Sequence, residues 1–219
     1  MATKMCFFVG TDRVFEERIV EFEYIKGMAF SQKQKNVLSF HKSIQEKYPN
    51  CRIIEISTKS QSELGVKLSA FNLKLDGYIL ECVFQSSKVF EGGVQNPHLL
   101  LEEPKKAKGF IRDNVSLQLI GFKYKDEFFD LSPTTMFYDY IYISALMQGG
   151  IDTSDIVNYD IFTDIEFNEK KSYNCQARAC AIYAYMLRNN CLDYYMSSKE
   201  RFKELYSLGR VAKAYPNQP

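Results

Sequence analysis

The chain has 219 residues, of which 46% are hydrophobic and 15% aromatic, and this is enough apolar material for one sizeable core. Lysine and arginine number 28 against 27 acidic residues, and the resulting net charge of +1 argues against a protein that holds DNA mainly through counterion release. A near-neutral chain can still bind one nucleotide or a nucleic-acid end in a local basic pocket. We expect a single domain over residues 1–210 and a flexible C-terminal tail at 211–219.

The cysteines and histidines indicate neither a metal site nor a redox motif. None of the six cysteines has a partner at C-x-x-C spacing, and the two histidines, His41 and His98, are far apart in sequence. We therefore expect no metal and no cofactor. The N-terminal apolar patch is too short for a signal peptide, and no apolar run approaches the roughly 18 residues of a membrane span. These features predict a cytoplasmic protein without a membrane partner.

The first third of the chain shows both kinds of periodicity. Alternating apolar and polar side chains predict strands, whereas apolar residues three or four apart predict a helix. Ser31-x-x-Gln34 has the pattern of a capping box and Pro49 follows the helical stretch, while Asp76-Gly77 indicates a turn. The predicted elements are strands at 5–9, 20–25 and 52–57, a helix at 32–47 and a loop at 65–73.

The remaining two thirds are richer in helical patterns. A helix is predicted from Leu80 to Glu91, with Gly92-Gly93 as its C-terminal cap. Thr134 or Thr135 caps a further helix, and Ser197-x-x-Glu200 is a second capping box. The other predicted elements are a helix at 104–112, a strand at 115–120, an acid-rich connection at 151–171 and a helix at 172–188. The pattern as a whole predicts an α+β fold, a mainly helical domain with a small β-sheet.

The predicted helix at 80–91 carries a polar stripe with catalytic potential. Glu81, Gln85 and Lys88 fall at positions i, i+4 and i+7, and most of the remaining circumference is apolar or small. Such a helix should be largely buried, and a buried carboxylate or ammonium is costly unless it is paired. Groups of this kind are common at functional sites because burial changes their pKa. From the residues alone, a solvated face with an incidental Glu and Lys is an equally good interpretation.

Segments of the chain also resemble motifs of the NADAR family. Residues 81–90 are similar to its glutamate-x-x-aromatic-glutamine-x-x-lysine-x-phenylalanine helix, and residues 104–108 to its proline-x-x-alanine-lysine element. Residues 68–73 resemble its Ser-Asn-Phe loop, although Ala70 stands where Asn is usual. Residues 159–177 resemble the segment that precedes an Asn-containing helix, but a phenylalanine replaces the tryptophan and the glycines are absent.

The departures from the YbiA-like branch resemble another branch of the family. Residues 32–36, 56–60 and 162–168 are similar to NADAR antitoxins paired with DarT-type DNA ADP-ribosyltransferases. The resemblance covers roughly residues 20–190 and implies a NADAR/YbiA-like fold with N-glycosidase activity on ribose phosphates. In the antitoxin branch this activity removes ADP-ribose from the guanine amino group, so the implied partners are ADP-ribosylated guanine in DNA and a DarT-type toxin.

The resemblance and the residue chemistry together give a set of candidate site residues. Glu81 matches the family glutamate and would stabilise charge or move protons beside the anomeric carbon. Lys88 would hold a phosphate or form a Schiff base with ribose, unless it only pairs with Glu81. For the other residues a structural role, such as a turn, a cap or a solvated charge, is the alternative. The substrate-binding candidates are Lys33, Lys35, Ser69, Phe71, Asn72, Gln85, Lys108, Phe162, Asp164 and Asn174.

Two other functions are compatible with the sequence. One is a YbiA-like N-glycosidase that acts on free ribosylated intermediates of riboflavin synthesis. The other is a non-catalytic antitoxin that binds ADP-ribosylated DNA or the toxin itself. The Glu–Gln–Lys stripe favours an enzyme over the second alternative, because binding alone does not require that set of side chains.

Overall fold

The computed structural model describes residues 1–170 and 172–208. Residues 209 and 210 of the predicted domain, and the predicted tail at 211–219, lie outside the described residues. Within the described part, helices surround small β-sheets, which confirms the predicted α+β class. No helix in this part is both long enough and apolar enough to span a bilayer.

The strands of the described residues are short except for the first two, which form an antiparallel hairpin. They are β1 (Ala2–Val9), β2 (Phe15–Phe22), β3 (Ile53–Glu55), β4 (Lys74–Leu75), β5 (Tyr78–Ile79), β6 (Lys88–Phe90), β7 (Leu119–Tyr124), β8 (Glu127–Phe129) and β9 (Ile161–Thr163). The largest sheet has the order β2-β1-β9-β3, in which β3 and β9 are parallel. The others are the hairpin β4-β5 and the sheet β6-β7-β8.

Helices supply most of the regular structure of the described residues. The α-helices are α1 (Phe30–Lys47), α2 (Glu63–Lys67), α3 (Leu80–Ser86), α4 (Pro104–Asn114), α5 (Met136–Met147), α6 (Gln176–Arg188), α7 (Leu192–Met196) and α8 (Lys199–Glu204). Short 3-10 helices at Glu91–Gly93, Pro97–Leu101 and Ser154–Asn158 connect them.

The four-stranded sheet is buried on both faces. Phe7 of β1 belongs to the core cluster that contains α5 and α6, whereas Cys6 and Phe8 belong to the cluster around α1. This division follows from the period of two along a strand, which sends successive side chains to opposite faces. Phe40 of α1 covers one face, and the alanine-rich α6 covers the other.

Several sequence predictions are confirmed and others are wrong in their boundaries. The helices predicted at 32–47 and 104–112 are α1 and α4, and the turn at Asp76-Gly77 joins β4 to β5. The predicted strands at 20–25 and 115–120 are displaced in opposite directions along the chain, because β2 already begins at Phe15 and β7 begins only at Leu119. The connection at 151–171 contains β9, whose pairing with distant strands was not visible locally.

The predicted caps differ from those observed. Helix α1 begins after Ala29, and no side chain caps it, so the Ser31 capping box is wrong. At α8 the cap is Ser198, one residue later than predicted, and its hydroxyl accepts a hydrogen bond from the Arg201 N–H at 3.1 Å. Thr135 occupies the N-cap of α5 as predicted, with a left-handed φ of 76° and no side-chain capping bond.

Candidate active site

Helix α3 is shorter than the sequence predicted, and this changes the position of Lys88. The helix ends at Ser86, and Lys88 is the first residue of β6, so the single helical stripe expected through Lys88 is wrong. Lys88 pairs with Phe122 and Val89 with Gly121 in the adjacent strand β7. The β-branched Val89 and the aromatic Phe90 therefore lie in a strand, although the local pattern predicts a helix for them.

Glu81 lies in the first turn of α3 and is only 5% exposed. Its backbone N–H donates to the carbonyl of Ala70 at 3.0 Å, so the 68–73 loop satisfies a free donor at the start of the helix. The side-chain amide of Gln85 donates to Glu81 Oε1 at 2.8 Å. Gln85 Oε1 is buried and has no hydrogen-bond partner among the described residues. The pair formed by Glu81 and Gln85 is therefore buried and still has one acceptor free for a ligand.

Lys88 remains close to Glu81 although it has left the helix. Its Nζ lies 5.1 Å from the ring centroid of Phe84. Burial lowers the pKa of Lys88 to about 8, the attraction of Glu81 opposes this change, and repulsion by Lys108 adds to it. At pH 7 about a tenth of an amine with this pKa is uncharged, compared with almost none at an ordinary lysine. Lys88 can therefore act either as a cation or as a neutral nucleophile.

The 68–73 loop brings further predicted residues to this region. Lys108 is exposed on α4, and its Nζ lies 5.9 Å from the ring centroid of Phe71. Ser69 is buried and its hydroxyl accepts from the Phe71 N–H at 3.4 Å, while the Asn72 amide donates to the carbonyl of Val66 at 2.8 Å. Ser69 and Asn72 therefore shape the loop, and Phe71 of the loop lies beside Lys108 of α4.

Asp164 lies directly after β9 and is 6% exposed. Its Oδ1 accepts from the backbone N–H groups of Glu166 and Phe167, and the Gln176 side chain also bonds to the carboxyl group. Gln176 Oε1 in turn accepts from the N–H of Ala70, the residue whose carbonyl binds Glu81. This chain of contacts connects Asp164 to the start of α3.

The comparison with protein families identifies the family of this chain. The model of the family described as "DarT1-associated NADAR antitoxin" matches residues 2–216. The chain belongs to this NADAR family. Among curated proteins no match is found.

The remaining predicted residues of this NADAR protein lie in different settings. Lys33 Nζ forms an ion pair with Glu166 at 2.8 Å, next to Asp164, whereas Lys35 is exposed on α1. Asn174 is partly buried just before α6, and its carbonyl accepts from the Ser172 hydroxyl at 3.2 Å. Phe162 is fully buried in β9, so the substrate contact predicted for its ring does not fit this position.

Sequence reasoning missed some polar and aromatic residues around this NADAR site. Tyr138 of α5 is buried and packs edge-on against Phe84, with 5.3 Å between the ring centroids. Burial raises the pKa of Tyr138, and the charges of Glu81 and Asp164 add to this effect. Gln176 bonds to the Asp164 carboxyl group and to the backbone N–H of Ala70, and Ala70 is 106 residues away in sequence. Glu55 had a local signal, since a carboxylate in the apolar run Ile53-Ile54-Glu55-Ile56 is unusual for a buried strand.

A small cavity lies elsewhere in the molecule, beside Arg178. Thr135, Phe167 and Tyr173 are among its lining residues, and neither Glu81 nor Lys88 lines it. Arg178 is the buried cation at this cavity, and it is already paired with Asp139 at 2.9 Å. We therefore place the candidate chemistry at Glu81 and Lys88 and not at this cavity.

Proposed function

We propose that this NADAR protein is an N-glycosidase that removes ADP-ribose from guanine bases in DNA and so acts as the antitoxin of a DarT-type DNA ADP-ribosyltransferase in the cytoplasm. The observation that carries the proposal is the buried Glu81 carboxylate beside Lys88, an amine whose pKa is lowered to about 8. A lysine with a lowered pKa beside a buried carboxylate is typical of a catalytic site. Membership of the DarT1-associated family supports the choice of toxin and substrate.

In the proposed reaction, Glu81 assists the exchange of a carbon–nitrogen bond for a carbon–oxygen bond. As the bond from the anomeric carbon to the guanine amino nitrogen breaks, positive charge builds on the ribose. The Glu81 carboxylate stabilises that charge or takes a proton from the attacking water. The water oxygen bonds to the anomeric carbon, the guanine nitrogen gains a proton, and free ADP-ribose leaves. Gln85 orients the Glu81 carboxylate through its 2.8 Å hydrogen bond.

Lys88 has two proposed roles, which differ in its protonation state. As a cation it holds a phosphate of the substrate. As a neutral amine it attacks C1 of the ring-opened ribose, the bond from C1 to the guanine amino nitrogen breaks, and guanine leaves with a proton. Water then hydrolyses the Schiff base on Lys88 and releases ADP-ribose. Reduction with borohydride during turnover distinguishes them. A covalent ribosyl adduct on Lys88 would support the second role, and its absence would leave the electrostatic one.

The other NADAR site residues would bind parts of the substrate. We propose that Asp164 and Asn174 contact ribose hydroxyls or the guanine edge and that Phe71 packs against a ring of the ligand. The pyrophosphate would accept charge-assisted hydrogen bonds from three lysines, which are Lys33, Lys35 and Lys108. Ser69 and Asn72 contribute through the shape of the loop that carries Phe71.

The decisive variant is Glu81→Gln, which keeps the shape of the side chain and removes its charge. We expect release of ADP-ribose from a guanine-modified oligonucleotide to fall about 100- to 10,000-fold, the usual contribution of an acid–base group. Glu91→Gln, an exposed carboxylate beyond β6, is the matched control and should retain the wild-type rate. Release at the wild-type rate by the Glu81 variant would end this assignment.

The same variants separate the proposal from its alternatives. A non-catalytic antitoxin would neutralise the toxin equally well with Glu81→Gln. An enzyme for free metabolites would instead cleave ribosylated pyrimidine intermediates and leave the modified oligonucleotide intact.

A further inference from the structure

Glu55 is a buried carboxylate that the proposed mechanism does not use. It lies at the end of β3, the edge strand of the four-stranded sheet, directly opposite Thr163 of β9. Only 2% of Glu55 is exposed. A carboxyl group buried to this extent is costly unless it is neutralised or hydrogen-bonded. Its partners therefore indicate what it does.

The hydrogen bonds of Glu55 surround Asp164. Glu55 Oε2 accepts from the Thr163 hydroxyl at 2.6 Å. Glu55 Oε1 accepts from the Ser57 hydroxyl at 2.6 Å and from the Ile165 N–H at 2.8 Å. Thr163 and Ile165 are the two sequence neighbours of Asp164, so Glu55 holds the backbone on both sides of it. Hydroxyl-to-carboxylate distances of about 2.5–2.7 Å are typical of an ionised acceptor.

His41 extends this network on the side of α1. Its Nε2 lies 2.8 Å from the Thr163 hydroxyl oxygen. Because Thr163 donates its proton to Glu55, its oxygen accepts from the ring N–H of His41. Burial lowers the pKa of His41 to about 4, so the ring is neutral at physiological pH and provides a hydrogen bond without a compensating positive charge. Burial raises the pKa of Glu55, whereas the hydrogen bonds from Ser57, Thr163 and Ile165 lower it and so favour the ionised form next to Asp164.

We propose that Glu55 is a positioning residue: its ionised carboxylate fixes the two neighbours of Asp164 and repels a second negative charge, so that Asp164 presents a neutral carboxyl group to the ligand. A neutral carboxyl donates a hydrogen bond, whereas an ionised one only accepts. Asp164 would then donate to a ribose hydroxyl or to an acceptor on the guanine edge. The functional consequence rests on the proposed function, but the protonation state of Asp164 can be measured without it.

The charged surroundings of Asp164 support this assignment. Burial raises the pKa of Asp164 to about 7, and repulsion by Glu55 adds to this effect. Hydrogen bonds from Gln176 and the Glu166 backbone, together with the attraction of Lys4, act in the opposite direction. The charge of Asp164 also raises the pKa of four buried neighbours, which are Tyr138, Tyr142, Cys175 and Cys180. Asp164 is therefore mostly protonated below pH 7 and ionises above it.

The variant Glu55→Gln tests this inference because it removes the charge and keeps the size of the side chain. The new amide group can donate to the Thr163 hydroxyl, which can turn to the Ile54 carbonyl at 3.4 Å. The Asp164 carboxyl is followed by ¹³C NMR from pH 4 to 9, its signal being identified by its loss in Asp164→Asn. We expect a midpoint near pH 7 in the wild type and a midpoint lower by about one pH unit in Glu55→Gln. Glu46→Gln, an exposed carboxylate of α1, should leave the midpoint unchanged.

The activity profile provides the second readout. Release of ADP-ribose by the wild type should decline as the pH rises through about 7, and this decline should begin at lower pH in Glu55→Gln. Identical midpoints in the two proteins, or a wild-type midpoint below pH 5, would overturn the inference. The two results can also separate. If the NMR midpoint is lower in Glu55→Gln than in the wild type but the wild type releases no ADP-ribose at any pH, the positioning role is supported and the proposed function is rejected.

Discussion

Asp139 and Glu81 are both buried carboxylates, on helices α5 and α3 that pack against each other, but their surroundings differ. Asp139 is fully buried and receives two hydrogen bonds from Arg178 Nη2, at 2.9 and 3.1 Å, and one from the Tyr206 hydroxyl at 2.7 Å. Among the described residues Glu81 accepts one hydrogen bond, from Gln85. Burial lowers the pKa of the nearby Lys88. Within the described part, Lys88 and Glu81 do not form a direct ion pair.

The difference separates a structural charge from one available for chemistry. A buried ion pair is costly to break. Asp139 also accepts from the Thr135 hydroxyl at 3.2 Å, so this carboxylate accepts four hydrogen bonds and has no free acceptor for a ligand. A buried carboxylate with free lone pairs contributes less to stability, but it can stabilise positive charge that develops on a bound substrate. By this criterion we assign Asp139 and Arg178 a structural role and propose Glu81 and Lys88 as the site.

Breaking the Asp139–Arg178 pair should have the largest effect on stability. Arg178→Met leaves Asp139 buried without its cation, and we expect the free energy of unfolding to fall by about 3–5 kcal/mol. Urea-induced unfolding measures this loss. Arg201→Met removes a more exposed ion pair with Glu204 and is the control, with a loss below about 1 kcal/mol. Equal losses in the two variants would contradict the structural role of Arg178.

Replacing Lys88 should change stability in the opposite direction. The unfolded chain holds the Lys88 proton more tightly than the folded protein does, because the folded-state pKa of about 8 is below the ordinary value. The charged Lys88 therefore destabilises the fold below pH 8, and this effect disappears as the pH rises towards about 10.5. We expect Lys88→Met to raise the free energy of unfolding by about 1 kcal/mol at pH 7, since partial exposure screens the charge.

The pH dependence of this gain is the sharper test. The difference between Lys88→Met and the wild type should shrink between pH 8 and pH 10, in urea unfolding at each pH. Lys74→Met, at an exposed position in β4, should change stability by less than about 0.5 kcal/mol at both pH values. If Lys88→Met lowers the free energy of unfolding at pH 7, Lys88 stabilises the fold as Arg178 does, and the contrast between the two cations is wrong.

The smallest effect is expected at Lys33, whose ion pair with Glu166 lies near the surface beside Asp164. Lys33→Ala should change the free energy of unfolding by less than about 1 kcal/mol. If Lys33 binds the pyrophosphate, KM for the modified oligonucleotide should rise several-fold, and more so at low salt. Lys42→Ala, exposed further along α1, is the control. An unchanged KM in Lys33→Ala would remove Lys33 from the site.

Local patterns predicted the parts of the molecule whose structure depends on local contacts. Helices α1 and α4 follow from their apolar spacing, and Glu81 and Gln85 share a helix as their spacing of four predicts. The helix predicted through Lys88 failed because β6 pairs with β7, about 30 residues further along the chain, and such pairing can override helical periodicity.

The missed site residues have the same explanation. Gln176 is important because it reaches Ala70, and Glu55 because it receives the Thr163 hydroxyl, in each case across more than 100 residues. A single sequence contains no signal for these contacts. Its one available clue was chemical, the presence of a carboxylate in an otherwise apolar strand.

A crystal structure of the wild-type protein with ADP-ribose locates the anomeric carbon relative to Glu81 and Asp139, and so decides whether Glu81 lies at the reacting bond. We expect this carbon to lie within about 3–4 Å of the Glu81 carboxylate, with Lys88 in contact with the ribose or a phosphate. ADP-ribose bound in the cavity beside Arg178, with Glu81 and Lys88 free of ligand, would contradict this expectation.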